Sequence, residues 1–282
     1  MMRNTFYMAL LLLLTMKSSS ALATDKTDPQ QVLANQWHVS LAVGYGYVDV
    51  PRAGKKPVKT YLLPSISYYG EKFYLENFTM GYSLYEGDIF MLDLQTKLND
   101  DVIFFELDGF ENLFASDLLG FTPNRGGAGP TASPIISIER SVSYLGGVNA
   151  LWTTPAGDLS LGGFNDISNI HNGHEAHLRL TDTFRYQMFA WAFELGATYK
   201  SKETVSYYYE LRPDEIGTIH TGYNARAGVN YHARALFDYP LSDHWSAIAV
   251  VEYNRLASNI ADSPFLNDNE YWGGFVGVNY RF

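Results

Sequence analysis

The stretch Phe189-Ala190-Trp191-Ala192-Phe193-Glu194-Leu195-Gly196-Ala197-Thr198-Tyr199-Lys200 alternates strictly, with aromatic or aliphatic residues at odd positions and small or charged ones at even positions. Side chains of a strand point to opposite faces in turn, whereas a helix would spread both sets around its circumference. The stretch is therefore a strand with one apolar and one polar face. Its neighbours repeat the pattern. Val229, Tyr231, Ala233, Ala235, Phe237 and Tyr239 oppose Asn230, His232, Arg234, Leu236 and Asp238, and residues 175–187 carry Glu175, His177, Arg179, Thr181, Thr183, Arg185 and Gln187 on one side. The other side of that segment is apolar from Ala176 to Met188 apart from Asp182. Charge in mid-strand on one face and lipid-like side chains on the other is the pattern of a membrane barrel with a polar lumen; a soluble sandwich buries its apolar face instead.

The start of the chain fits that destination. Met1-Met2-Arg3, an apolar run from Tyr7 to Met16 and Ala21-x-Ala23 before Thr24 read as a cleaved secretory signal. The run is too short to span a bilayer as a helix. Residues 1–23 are thus expected to be removed, 24–35 to form a flexible periplasmic lead, and 36–282 to form the barrel. The 282 residues carry a formal charge of -10; cleavage removes Arg3 and Lys17 and takes it to -12. Such an acidic chain lacks the basic face a nucleic-acid binder needs. With no cysteine it has neither disulfides nor thiolate chemistry, and 46% hydrophobic residues exclude a disordered chain.

Segments of this kind recur at 37–49, 60–69, 72–76, 79–85, 88–98, 137–153, 157–169, 174–187, 189–203, 228–240, 244–257 and 270–282. The fold expected is all-β: a transmembrane, antiparallel, up-and-down β-barrel of about twelve strands, the even number that bacterial barrels use. The split at Asn77 is the least marked, and ten strands is the alternative. Tight turns at Glu86-Gly87, Pro155 to Gly157, Gln187 to Phe189 and Pro240 to Asp243 fall at one end, assigned to the periplasm. The long connections 99–136, 204–227 and 258–269 fall at the other, outside the cell. The first of these is long for a hairpin loop and is expected to stand outside as a recognition loop or to fold into the lumen.

Tyr and Trp anchor barrels at headgroup level, which makes Tyr45, Tyr47, Trp152, Trp191, Tyr199, Tyr239, Trp245, Tyr253 and Trp272 the candidate girdle. Arg179, Arg185, Glu194, Lys200, Arg234, Asp238 and Glu252 are the candidate lumen lining, either a salt-bridged filling or the wall of a narrow pore. The ending Gly277-x-x-Tyr280-x-Phe282 is similar to the C-terminal signal read by the outer-membrane barrel assembly machinery.

Taken together, Tyr239 to Ser246, Tyr253-x-Arg255-Leu256, Ile260 to Pro264 and Tyr280-Arg281-Phe282 resemble the MipA/OmpV family of outer-membrane proteins. Leu63-Pro64 to Tyr69, Gly70 to Tyr74, Gly81-Tyr82-x-Leu84, His171-x-Gly173-x-Glu175-Ala176 and Tyr207 to Tyr209 extend the resemblance over nearly all the mature chain, leaving out 99–136. It implies a barrel in the Gram-negative outer membrane with no agreed catalytic residues. It also implies a scaffold role joining a membrane-bound lytic transglycosylase to a bifunctional penicillin-binding protein. Entry of small polar solutes or antibiotics, and surface adhesion, are the alternatives that it carries.

No enzyme, metal or cofactor is expected. His244-x-Ser246 has the residues of a hydrolytic pair but no third group to orient the base, with Asp243 on the opposite face. His171, His174 and His177 have metal-ligand chemistry, yet 174 and 177 point to opposite faces of a strand.

Overall fold

The computed structural model describes residues 35–52, 57–101, 140–212 and 222–282. The signal segment, most of the lead and nearly all of the 99–136 connection lie outside these residues. The strands are β1 (Trp37–Val48), β2 (Val58–Tyr69), β3 (Phe73–Glu76), β4 (Thr79–Glu86), β5 (Phe90–Leu98), β6 (Tyr144–Thr154), β7 (Gly157–Asp166), β8 (His174–Tyr186), β9 (Phe189–Lys200), β10 (Gly228–Pro240), β11 (Trp245–Arg255) and β12 (Glu270–Arg281). Two helices, α1 (Lys202–Tyr209) and α2 (Ser258–Ala261), follow β9 and β11. Each strand pairs antiparallel with the next, and β12 returns to β1, so the sheet is a closed twelve-stranded barrel.

Asn77 decides between twelve strands and ten. Its backbone is left-handed (φ 52°), its N–H donates to the Ile66 carbonyl at 2.9 Å, and its Oδ1 accepts the Ile66 N–H at 3.1 Å. The turn is thereby pinned to β2, and β3 and β4 both belong to the wall. Connections of two to four residues join β2–β3, β4–β5, β6–β7, β8–β9 and β10–β11 at one end, where β1 begins and β12 ends. All the long connections gather at the opposite end.

Several ends depart from the alternation. The strand expected to run to residue 203 stops at Lys200, because Ser201 caps α1, its hydroxyl accepting the Thr204 N–H at 3.4 Å. β7 stops at Asp166 rather than 169, since the Asp166 carboxylate gathers the N–H groups of Ser168, His171 and Asn172 at 2.6–2.9 Å and turns the chain. β6 begins at Tyr144, seven residues later than expected.

The closing seam relies on missing side chains. Gly44 faces Gly277 in the β1–β12 register, and the Phe275 ring lies over both glycines on the lumenal face. A Cβ on Gly277 would lie 2.8 Å from the Gly44 Cα and 2.9 Å from the Phe275 ring. An aromatic ring over glycines lets a sheet curve without exposing its backbone.

Above the lumen at the long-connection end, α1 and α2 form a cap. Val205, Tyr208, Tyr209, Ile260 and Phe265 join Val48, Val50 and Val58 at the mouth of β1 and β2 and Leu63, Ile248, Val250 and Phe275 deeper in the wall, in one continuous apolar cluster. The cap is thus folded onto one side of the barrel interior.

Candidate functional site: a charged lumenal chamber

The polar faces of β8 to β11 align in register, because a fixed pairing carries one row of inward residues across the sheet. One row is Arg179, Gly196, His232 and Asn254; the next toward the short-turn end is Thr181, Glu194, Arg234 and Glu252. Above them, Glu175 pairs with Lys200. These rows border a cavity of about 390 Å³ that also touches Ser65, Ser67, Glu76 and Lys97 on the facing wall.

Two networks hold the chamber. In the upper one, the Lys200 ammonium donates to Asp101 Oδ2 at 2.6 Å and to Glu175 Oε1 at 3.1 Å. Lys97 lies 3.5 Å from the Glu175 carboxylate, Asn99 donates to it at 2.9 Å, and the Tyr209 hydroxyl donates to Asp101 Oδ1 at 2.6 Å. Strand, connection and cap are therefore tied through buried charges, and burial together with the Asp101 charge pushes the Tyr209 hydroxyl well above its ordinary pKa. In the lower network, Glu194 Oε1 accepts from Arg234 and from His232, each at 3.0 Å, and Oε2 accepts from Thr181 at 3.3 Å.

All seven residues singled out as lumen lining share the inward face, but they do not form one site. Arg179, Glu194, Lys200, Arg234 and Glu252 border the chamber. Asp238 lies near the short-turn end, accepting from Arg281 at 2.9 Å and Ser246 at 3.2 Å. Arg185 is exposed at the short-turn rim. Sequence reasoning missed Lys97, Asn99 and Asp101, which reach Glu175 or Lys200, and Tyr209, which reaches Asp101; the hydrogen bonds among them span 76 to 108 residues of chain. The one local signal was Ser201-x-x-Thr204, a helix cap.

The nine aromatic residues named above all point outward. Trp152, Trp191, Tyr239 and Trp245 sit toward the short-turn end, and Tyr45, Tyr47, Tyr199, Tyr253 and Trp272 toward the other. Ring pairs such as Phe189–Tyr239 and Tyr253–Trp272, both with centroids 4.8 Å apart, reinforce each belt. Tyr280 and Phe282 continue the lower belt, 4.9 Å apart, while Gly277 is the seam glycine. His244 is a turn residue stacked on Tyr280, whereas Ser246 is buried inside against Asp238, so the two are not assembled as a pair. His174 lies outside against Tyr199, and His171 and His177 lie inside on separate partners.

His171 latches the cap. Its Nδ1 accepts the Gly173 N–H at 2.9 Å, which leaves Nε2 to donate to Ser143 Oγ at 3.0 Å; Ser143 in turn meets the Tyr208 hydroxyl at 3.0 Å. Burial holds the imidazole below its ordinary pKa, outweighing the attraction of Asp166. A histidine kept neutral in the fold contributes stability above its unfolded pKa, about 6.5, and loses it as pH falls below that value. Amide exchange in α1, corrected for intrinsic rates, is therefore expected to accelerate between pH 7.5 and 5.5 in the protein and to lose this dependence in His171→Asn.

Comparison with known proteins bears on the whole chain. The family model described as MltA-interacting protein MipA matches residues 39–282. YiaT of Escherichia coli (strain K12) is 22% identical over 264 residues, covering 90% of this chain and 95% of its own length. Outer membrane protein Omp26La of Vibrio anguillarum is 24% identical over 139 residues, 48% of this chain and 53% of its own. Outer membrane protein OmpV of Vibrio cholerae serotype O1 is 29% identical over 87 residues, 31% of this chain and 34% of its own.

Proposed function

The chain belongs to the MltA-interacting protein MipA family, and on that premise we propose that this outer-membrane barrel is a non-catalytic scaffold whose short-turn rim holds murein-hydrolysing and murein-synthesising enzymes together. The partners in this reading are a membrane-bound lytic transglycosylase and a bifunctional penicillin-binding protein, with the barrel assembly machinery as the insertion partner that reads Gly277, Tyr280 and Phe282. One observation carries it. Ile89, Met188 and Leu241 stand in three of the short connections at the rim and are 69%, 56% and 55% exposed. Apolar side chains in short connections, where Gly, Asn or Asp is the usual choice, supply the anchors that protein interfaces use. Bacterial barrels place such short turns in the periplasm, toward murein.

The test is site-specific photocrosslinking in intact envelopes from Glu86, Ala156 and Ser242. Lytic transglycosylases and penicillin-binding proteins are expected among the adducts above the level of an unrelated barrel. Adducts confined to assembly factors would overturn the scaffold and leave solute conduction or adhesion as the reading to pursue.

A further inference from the structure

We infer that the lumenal chamber is a binding site for a small zwitterion, an amino acid or short peptide whose ammonium meets Glu252 and whose carboxylate meets Arg179. The chamber leaves part of its charge unpaired. Most of its charges are closed on one another: Lys200 on Asp101 and Glu175, Glu194 on His232 and Arg234. Two are not. Glu252 is 4% exposed, Asn254 donates to its Oε1 at 2.8 Å, and its Oε2 is buried with no hydrogen-bond partner among the described residues. The side chain of Arg179, inward on β8 and bordering the same cavity, makes no hydrogen bond or ion pair among the described residues.

A buried carboxylate oxygen without a donor is costly, and a ligand that brings the missing donor recovers the cost. A simple anion would satisfy Arg179 and leave Glu252 worse off; a simple cation would do the reverse. The lining carries five basic and five acidic side chains, counted without histidines, so the chamber favours a ligand of zero net charge with separated poles. Glu252 and Arg179 are three strands apart on one wall, about 14 Å along the sheet. That span, less the reach of an arginine and a glutamate side chain, is of amino-acid to dipeptide length. The cavity, about 390 Å³, lies within the range of small-molecule sites.

The probe is the dipeptide alanyl-alanine, titrated calorimetrically into the protein purified from outer membranes in detergent, beside its N-acetyl and C-amide forms. Binding is expected for the zwitterion and is expected to weaken about tenfold on capping either end, the scale of one charged hydrogen bond. Glu252→Gln should remove the penalty for N-acetylation while keeping that for amidation, and Arg179→Gln should do the opposite. Arg179→Lys, which keeps the charge, should retain most of the affinity and guards against a folding defect. Absence of binding to the folded protein, or equal binding of all three peptides, would overturn the assignment, as would titrations unchanged by either substitution.

Discussion

Gly277→Val is expected to yield no closed barrel: in detergent the protein should migrate as a heat-insensitive, unfolded band, and envelopes should hold little of it. Gly277 and Gly44 are opposed at the β1–β12 seam, and the Val43 carbonyl occupies the space that a side chain at 277 would need. Phe275 cannot yield, because its ring already lies against Gly44 and Gly46 and is buried in the apolar cluster below the cap. Overpacking at a tight site costs about 1–3 kcal/mol where neighbours can move; here two of the neighbours are backbone, and their displacement opens the last hydrogen-bonded seam. Gly163→Ala is the control, since a Cβ there meets nothing within 4 Å, and it should leave folding unchanged.

Lys200→Met should destabilise the barrel by about 3–5 kcal/mol, the cost of removing one partner from a buried ion network. The ammonium is held by Asp101 and Glu175, and all three side chains are nearly inaccessible to water. Its loss leaves two carboxylates facing each other with Lys97 as the remaining cation at 3.5 Å from Glu175. Since Asp101 also accepts from Tyr209, the cap should loosen with it. Proteolysis within 202–209 should accelerate in Lys200→Met and be partly reversed by adding Asp101→Asn. Equal protection in all three proteins would remove this network from the account of how the cap is held.

The wall of the barrel was legible because lipid and lumen impose a period of two on every strand, and the aromatic residues at the strand ends follow from the same two-sided solvent. All twelve strands appear in place, and the Asn77 turn that separates β3 from β4 was readable from parity. What lay beyond reach was anything set by distant pairing. Asp101 sits just after β5 and has no local pattern; its meaning comes from Lys200 and Tyr209, 99 and 108 residues away. Helix α1 was hidden because Thr204 to Tyr209 is rich in β-branched and aromatic residues, which favour strands. The role of Phe275 is likewise set by distant pairing, since only the register of β1 against β12 shows that it covers Gly44 and Gly277.

The scaffold reading depends on the short-turn rim facing murein, and the absence of cysteine from the chain makes that face directly measurable. Single cysteines at Ala156→Cys and Ser242→Cys on the rim, and at Ser258→Cys and Asp262→Cys on the cap, all exposed positions, would be treated in intact cells with a thiol reagent too large to cross the outer membrane. The cap pair is expected to be labelled in intact cells and the rim pair only after the outer membrane is permeabilised. Labelling of Ala156→Cys and Ser242→Cys in intact cells, with the cap pair protected, would place the rim outside the cell and contradict the scaffold reading.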